Sequence, residues 1–183
     1  MEREDGDKVI AEHPFGEILS VASTEYGVGT ASFSKEYKYR YRLSRVWDIS
    51  KPRVNFIMLN PSTANSKVLD PTVTRCAKYA LSWGMGSLEV TNIFALRSTD
   101  PKKLILYTDP VGKGNDYALA AAAAAADLVI VAWGSNGHLY DRDKKVLNLL
   151  KKSDLFCLRV NKSTAPAHPL YLPSNLTPVR YKC

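Results

Sequence analysis

Four short apolar segments of the sequence are each followed by polar residues whose types suit chemistry. The segments span residues 54–59, 88–94, 128–133 and 155–160. The stretches that follow them include Asn60, Pro61, Ser62, Thr63, Arg97, Gly134, Lys162 and His168. Asparagine amides match the edge of a nucleobase, arginine and lysine hold phosphates, and histidine can act as a general acid or stabilise a departing base. These residue types predict a site for a nucleobase or a nucleotide.

Three of these residues have a catalytic interpretation that competes with a structural one. His168 lies in a loop, away from any apolar helical face, which favours a functional role. Asn60 precedes a proline, so its side chain has the alternative of ending the strand through an Asx-type turn. Asp70 also precedes a proline, and this pair is a typical start of a helix, which gives the carboxylate the alternative of a helix cap. Asn60, Asp70 and His168 remain the candidate catalytic residues.

Several common functional sites have no counterpart in the sequence. It contains no Gly-rich loop ending in Gly-Lys-Ser or Gly-Lys-Thr, no Gly-x-Gly-x-x-Gly and no Gly-x-Ser-x-Gly. The kinase, NTPase, dinucleotide-binding and serine-hydrolase interpretations are therefore weakened. The cysteines and histidines of the chain are Cys76, Cys157, Cys183, His13, His138 and His168, and none of them has metal-ligand spacing. The sequence therefore predicts no metal and no cofactor. Cys76 and Cys157 lie in apolar-patterned segments, which predicts buried thiols.

The elements that must position the candidate residues are short buried strands separated by helices. Continuous apolar runs of this length are typical of strands buried on both faces of a parallel sheet. Helix signals fall between the strands, after Asp70, over 102–107, from Asn115 through the alanine tract, and over 144–152. This alternation predicts an α/β fold, a three-layer αβα sandwich with a central, mostly parallel, four-stranded sheet. Because ligands bind beyond the carboxyl ends of such strands, the four polar stretches are expected to form one site.

The segment 37–43 alternates tyrosine with lysine or arginine before these strands begin. Its period of two predicts an amphipathic strand with aromatic residues on one face and cations on the other. We interpret it as an edge strand that its charges protect from aggregation. The alternative is a basic ribbon beside a nucleic acid. With short strand pairs in 1–35, this segment predicts an N-terminal antiparallel region.

Composition and charge bound the class of protein. A chain of 183 residues with 45% hydrophobic residues suits one domain with a real core. No apolar run approaches the length of a membrane span, and the polar start at 1–7 does not resemble a signal peptide, so the expected location is the cytoplasm. The formal net charge of +7 favours a polyanionic partner such as DNA, with solubility alone as the alternative.

Six ordered motifs resemble those of the DUF1643 family of bacterial and phage proteins. They lie at 56–64, 70–75, 90–101, 109–116, 132–134 and 168–172. The resemblance covers residues 37–173 and implies a single DUF1643-like domain over 1–183, with a variable N-terminal extension at 1–36. Residues of these motifs complete the set of substrate-binding candidates: Thr72, Arg75, Asn92, Asn115, Asp116, Trp133 and Tyr171. Two have alternatives, since Arg75 suits a solvated helix face and Trp133 suits the core.

A more distant resemblance connects the chain to the uracil-DNA glycosylase superfamily. Asn60 with its proline is similar to the first motif of that superfamily, Asn92 with Arg97 to its central strand motif, and His168 with its proline to its second catalytic motif. The resemblance implies the same fold and a base flipped into the site. Asn60 would then position the attacking water, and His168 would stabilise the departing base. The Asn60 loop lacks a carboxylate, so Asp70 or Asp100 would have to activate the water.

The leading hypothesis is therefore a glycosylase-like hydrolase that acts on an N-glycosidic bond in DNA or in a free nucleotide. A second hypothesis is a module that binds nucleic acid or a nucleotide without catalysis. A third is an enzyme that acts on a small phosphorylated metabolite.

Overall fold

Eight strands form one sheet in the computed structural model, which describes residues 18–182. In chain order the strands are β1 (Ile18–Thr24), β2 (Gly27–Phe33), β3 (Arg40–Val46), β4 (Arg53–Met58), β5 (Ser87–Asn92), β6 (Leu128–Val131), β7 (Leu155–Cys157) and β8 (Val179–Arg180). The α-helices of this part of the chain are α1 (Pro71–Ser82), α2 (Asn115–Ala124) and α3 (Arg142–Leu149). Short 3-10 helices span Pro101–Leu106, Ser135–Asp141 and Pro169–Tyr171. The spatial order of the strands is β1-β2-β3-β5-β4-β6-β7-β8.

The sheet is partly parallel, and the predicted α/β class is confirmed. β5, β4, β6 and β7 are parallel neighbours. The sheet has eight strands where the sequence predicted four, because the antiparallel strands β1 to β3 continue it beyond β5 and β8 continues it beyond β7. These additions pair strand edges that a four-stranded sheet would leave open.

The apolar core is divided by the sheet into two main clusters, because successive side chains of a strand point to opposite faces. A small third cluster contains Tyr41, Ala95 and Ala118. On β4, Phe56 belongs to the cluster that packs against α1. The next residue, Ile57, belongs to the cluster that packs against α2 and α3, with Leu119 and Val146. The continuous apolar run that predicted β4 therefore reflects helices on both faces of the sheet.

Local signals explain where the helices begin. Asp70 caps α1, and its Oδ1 atom accepts a hydrogen bond of 2.8 Å from the Val73 N–H. The helix predicted over 102–107 is a 3-10 helix that begins one residue earlier. α3 spans Arg142–Leu149 where the sequence predicted 144–152, because the left-handed backbone of Tyr140 and Asp141 ends the preceding 3-10 helix and sets an earlier start.

β3 lies inside the sheet, between β2 and β5, so the edge-strand interpretation of segment 37–43 is wrong. Two of the strand's cations, Arg40 and Arg45, are buried instead of solvated. The alternation of residue types in a strand cannot reveal this, because the position of a strand in a sheet depends on pairing with strands distant in sequence.

A β-bulge interrupts the pairing of β2 with β3. Leu43 pairs with Ala31, Arg42 with Ser32 and Arg40 with Phe33, which leaves Tyr41 as the extra residue. Arg40 therefore shares the sheet face of its partner Phe33, which belongs to the cluster that packs against α1. Tyr41 packs against α2 on the other face. A bulge re-aims the side chains of its strand, and here it turns Arg40 toward the loop that follows β4.

Some sequence predictions concern parts of the chain that the structure does not describe. The polar start at 1–7, His13 and Cys183 lie outside the described residues, and the N-terminal extension is described from Ile18 onward. Cys76 and Cys157 are buried free thiols, as the sequence predicts. Among residues 18–182, every helix is too short or too polar to cross a membrane.

Candidate functional site

A cleft of about 470 Å³ opens beyond the carboxyl ends of the parallel strands. All four loops that follow these strands contribute to its lining. Asn60 follows β4, Ser98 follows β5, Gly134 follows β6 and His168 follows β7. A volume of this order suits a small ligand such as a nucleoside or a nucleotide.

The cleft lies where neighbouring strands send their connections to opposite faces of the sheet. After β4 the chain leads to α1 on one face, and after the neighbouring β6 it leads to α3 on the other. The two connections diverge, and the crevice between them is the usual ligand site of open α/β sheets.

Asn60 is held in a fixed orientation by the loop after β5. Its Nδ2 atom donates hydrogen bonds of 2.8 Å to the Ser98 carbonyl oxygen and 3.0 Å to the Pro61 carbonyl oxygen. Because both partners are acceptors, the amide nitrogen must be the atom that faces them. The Oδ1 atom accepts no hydrogen bond from residues 18–182, and it is therefore available to a water or a ligand. The Asn60 side chain therefore both joins the loops after β4 and β5 and presents an oxygen atom to the cleft.

Two connections position the loop that carries His168. The Gly134 N–H donates a hydrogen bond of 2.8 Å to the Pro166 carbonyl oxygen, which joins this loop to the one after β6. From α1, the Arg75 guanidinium donates to the Leu172 carbonyl oxygen and the Tyr79 hydroxyl donates to the Pro173 carbonyl oxygen. The His168 loop is thus held between the loop after β6 and α1.

The environment of His168 favours the neutral imidazole. Burial lowers its pKa from the usual value, and the nearby carboxylate of Asp70 opposes this effect only in part. The Nδ1 atom accepts a hydrogen bond of 3.4 Å from the Leu170 N–H. An imidazole that accepts at Nδ1 carries its proton at Nε2. His168 can therefore donate a hydrogen bond to a ligand at neutral pH without being charged.

The lowered pKa of His168 predicts a pH dependence of stability. Because the unfolded state binds the proton more readily, this residue contributes stability fully above the unfolded pKa of about 6.5, and the contribution is lost as the pH falls through the lower folded-state pKa. We expect urea unfolding to show that wild type loses more stability between neutral and mildly acidic pH than His168→Asn does. The exposed His138→Asn is the control, and parallel curves for wild type and His168→Asn would contradict the prediction.

Asp70 combines a structural role with a place in the cleft. Its Oδ1 atom caps α1 and its side chain also lines the cleft. Asp100 caps the 3-10 helix Pro101–Leu106 through a hydrogen bond of 3.0 Å from the Lys102 N–H, and it does not line the cleft. Of the two carboxylates considered for water activation, only Asp70 is in position to meet a ligand there.

Comparisons with known proteins agree with part of the sequence interpretation. A family described as "protein of unknown function (DUF1643)" matches residues 40–170. The chain belongs to the DUF1643 family. No curated protein and no solved structure matches it, so the resemblance to uracil-DNA glycosylases stays a prediction. The DUF1643 region begins at Arg40 and ends at Leu170, and both of these residues line the cleft.

The DUF1643 cleft brings together half of the candidate residues. The candidates that line it are Asn60, Ser62, Asp70, Thr72, Trp133, Gly134, His168 and Tyr171. The candidates that do not line it are Pro61, Thr63, Arg75, Asn92, Arg97, Asn115, Asp116 and Lys162. Trp133 is only 2% exposed and belongs mainly to the core, whereas Tyr171 is 89% exposed at the rim and its ring is open to solvent.

Most candidates outside the cleft have a structural role. The buried Asn115 donates hydrogen bonds of 3.0 Å each to the carbonyl oxygens of Asn92 and Ile93. Asp116 pairs with Arg142, whose Nε atom also donates to the Ile93 carbonyl oxygen. These contacts hold the end of β5 against α2 and α3.

The two candidate arginines hold backbone carbonyl oxygens. Arg97 donates a hydrogen bond of 3.0 Å to the Tyr37 carbonyl oxygen, and Arg75 holds the His168 loop as described above. Thr63 and Lys162 are exposed.

Sequence reasoning missed several residues of the cleft. Thr99, Ser135 and Asn136 lie at its exposed rim, and they belong to loops that had been recognised as polar. Arg40 lies at the floor of the cleft, in β3, the strand that the sequence pattern predicts at the edge of the sheet. The alternating pattern of that strand gave no signal for Arg40, because the bulge at Tyr41 changes the face on which it lies.

Proposed function

We propose that the cleft binds a nucleobase or a nucleotide and that the protein, acting in the cytoplasm, hydrolyses the N-glycosidic bond. The observation that carries the proposal is the common position of Asn60, Asp70 and His168 in one cleft. Asn60 and Asp70 lie near the two ends of the connection from β4 to α1, His168 lies in the loop after β7, and each residue offers a group that this reaction needs. The basic net charge of +7 adds support for a phosphate-bearing substrate.

The shape and chemistry of the cleft support a flat polar ligand. Its lining combines the Asn136 amide and several hydroxyl groups with the exposed ring of Tyr171 at the rim. Amide and hydroxyl groups match the hydrogen-bonding edge of a base, and an exposed aromatic ring offers a stacking surface. Such a combination is usual in sites that select a heterocycle.

In the proposed reaction, Asn60 and Asp70 act on the attacking water. Asn60 Oδ1 accepts one hydrogen bond from the water and so orients it. The water oxygen forms a bond to C1′ of the sugar as the C1′–N bond breaks, and Asp70 accepts the proton that the water loses. One carboxylate oxygen of Asp70 caps α1, so the second oxygen performs this role.

His168 acts on the other product of the reaction. The electron pair of the broken C1′–N bond leaves with the base, whose ring carbonyl oxygen then carries negative charge. The Nε2–H of the neutral His168 imidazole donates a hydrogen bond to that oxygen, and the base then takes a proton from solvent. Hydrogen bonds to a developing oxyanion in a site with little water are among the largest contributions to catalysis.

We also propose the finer features of the fold that the glycosylase resemblance implies. The two main core clusters, one with α1 and one with α2 and α3, support a three-layer αβα sandwich. The order of the Asn60, Asn92 and His168 motifs along the chain adds support. A uracil-DNA glycosylase-like arrangement accounts for both observations.

A second candidate function is binding without catalysis. It is favoured by the occupation of Asp70 as a helix cap and by the lack of any other carboxylate over residues 60–69. This candidate predicts that ligand affinity survives His168→Ala while no base is released.

The test of the proposal is an assay for released free base. Purified protein is incubated with single-stranded and duplex oligonucleotides that contain uracil, mismatched or modified bases, and separately with nucleotides, and the products are separated by chromatography. Release of one base that requires the intact protein supports the proposal. Ligand binding without release favours the second candidate, and neither binding nor release of any base would sink both.

A further inference from the structure

Arg40 lies at the floor of the cleft as a buried cation. The residue is 1% exposed, yet it contributes to the cleft lining. Its Nη1 atom donates a hydrogen bond of 2.8 Å to the Ala64 carbonyl oxygen, and its Nη2 atom lies 3.4 Å from Asn92 Oδ1. The buried Nε atom has no hydrogen-bond partner, and Arg40 forms no salt bridge within residues 18–182. A buried charge without a bonded counter-charge is costly, and an anion that enters the cleft would supply that counter-charge.

The charges around Arg40 leave an excess of positive charge. The pKa of Arg40 is lowered to about 10, mainly by burial; Asp70 raises it, and the nearby Arg97 and Arg45 add to the lowering. A pKa of about 10 keeps the guanidinium charged at neutral pH. Among residues 18–182, the groups that act on the charge of Arg40 are two further guanidinium groups and one carboxylate, and such an excess of positive charge attracts anions to a partly enclosed site.

The N-terminus of α1 meets the cleft beside this cation. Thr72 lines the cleft, and its N–H makes no hydrogen bond to other residues in the described chain. The N–H of Val73 is bound by the Asp70 side chain and that of Thr74 by the Asp70 carbonyl oxygen. The first turn of the twelve-residue α1 thus offers one free donor together with the positive end of the helix dipole.

We infer that the floor of the cleft is a phosphate subsite, and that the ligand is a free nucleotide with a terminal phosphate rather than a nucleic acid strand. The inference rests on the proposed function and specifies its substrate class. Arg40 and the Thr72 N–H hold the phosphate, and the base lies toward the exposed Tyr171 at the rim. The carboxylate of Asp70 also borders the floor, and the nearby arginines offset its charge.

The depth of the floor explains why the phosphate is terminal. Arg40, Val73 and Trp133 are all buried, whereas Thr99, Asn136 and Tyr171 are exposed, so the cleft opens on the rim side. A phosphodiester carries chain on both sides and would need two exits from the floor. A phosphate monoester needs none.

The experiment compares nucleosides with their 5′-monophosphates by isothermal titration calorimetry. We expect one monophosphate to bind about tenfold to 100-fold more tightly than its nucleoside, as charged hydrogen bonds to one phosphate would give. Inorganic phosphate should compete with that monophosphate in wild type. In Arg40→Gln the ratio of the two affinities should fall to near one, whereas in Tyr171→Ala both ligands should weaken together and the ratio should persist.

The outcomes separate the inference from the proposed function. Equal affinities for nucleoside and monophosphate in wild type, or an oligonucleotide that binds while monophosphates do not, would overturn the phosphate subsite and leave a base-binding cleft in place. Competition by inorganic phosphate without any preference among bases would support the subsite and count against the nucleobase function. The wild-type comparisons need no variant, so the inference stays testable if Arg40→Gln does not fold.

Discussion

Replacing His168 with alanine is expected to slow the release of base by about 10²–10³-fold, the usual range for loss of one hydrogen-bond donor to a developing oxyanion. The reason is that its Nε2–H is the donor held ready for the departing base, with Nδ1 occupied by the Leu170 N–H. Folding should be nearly unaffected, with a change of less than about 1 kcal/mol, because His168 is only half-buried and its internal hydrogen bond is long. Single-turnover kinetics and urea unfolding measure the two effects.

The matched control for this prediction is His138→Ala. His138 also follows a parallel strand, but it is exposed and does not line the cleft. It should retain wild-type kinetics. Equal rates for wild type and His168→Ala would show that His168 has no part in the reaction, and equal losses in both variants would point to an effect of histidine removal that is not specific to the cleft.

Replacing Asn115 with alanine is expected to destabilise the fold by about 1–3 kcal/mol, the cost of leaving a buried polar group without its hydrogen bond. The fully buried Asn115 amide donates to the Asn92 and Ile93 carbonyl oxygens at the end of β5. The Ile93 oxygen keeps a second donor from Arg142, whereas no other side chain of the described residues is seen to donate to the Asn92 oxygen. Urea unfolding at neutral pH measures the change.

Asn148→Ala on α3 is the control of the same residue type, because Asn148 is exposed. Alanine has the higher helix propensity, so this variant should be as stable as wild type or slightly more stable. Ligand affinity provides the second readout. If Asn115→Ala keeps its stability but loses ligand affinity, Asn115 is a binding residue after all and its assignment to the scaffold is wrong.

The parallel half of the fold was predictable because its signals are local. The apolar run of β4 indicates burial on both faces, and Asp70 followed by proline marks the start of α1 within the same few residues. The position of β3 was not predictable in this way. Its alternating charges suit an edge, and only the pairing with β2 and β5 buries Arg40 and Arg45.

The candidate site follows the same division. The loops that contain Asn60 and His168 were predictable because they follow apolar strands, and the carboxyl ends of parallel strands meet at one edge. Residue type alone could not separate Asn60 from Asn115. Both asparagines donate through Nδ2 to two carbonyl oxygens and leave Oδ1 without a partner among the described residues, but Asn60 lines the cleft, whereas Asn115 is fully buried in the scaffold.

The bulge at Tyr41 has a consequence for how ligand binding spreads through the molecule. It places a floor residue of the cleft on β3, the strand that connects the β1–β2 hairpin to the parallel strands. A ligand held by Arg40 would therefore oppose local unfolding of β3 from β5, although no ligand atom touches β1 or β2. By thermodynamic linkage, the free energy needed to open the β1–β2 hairpin would rise as the cleft becomes occupied, although the hairpin itself does not line the cleft.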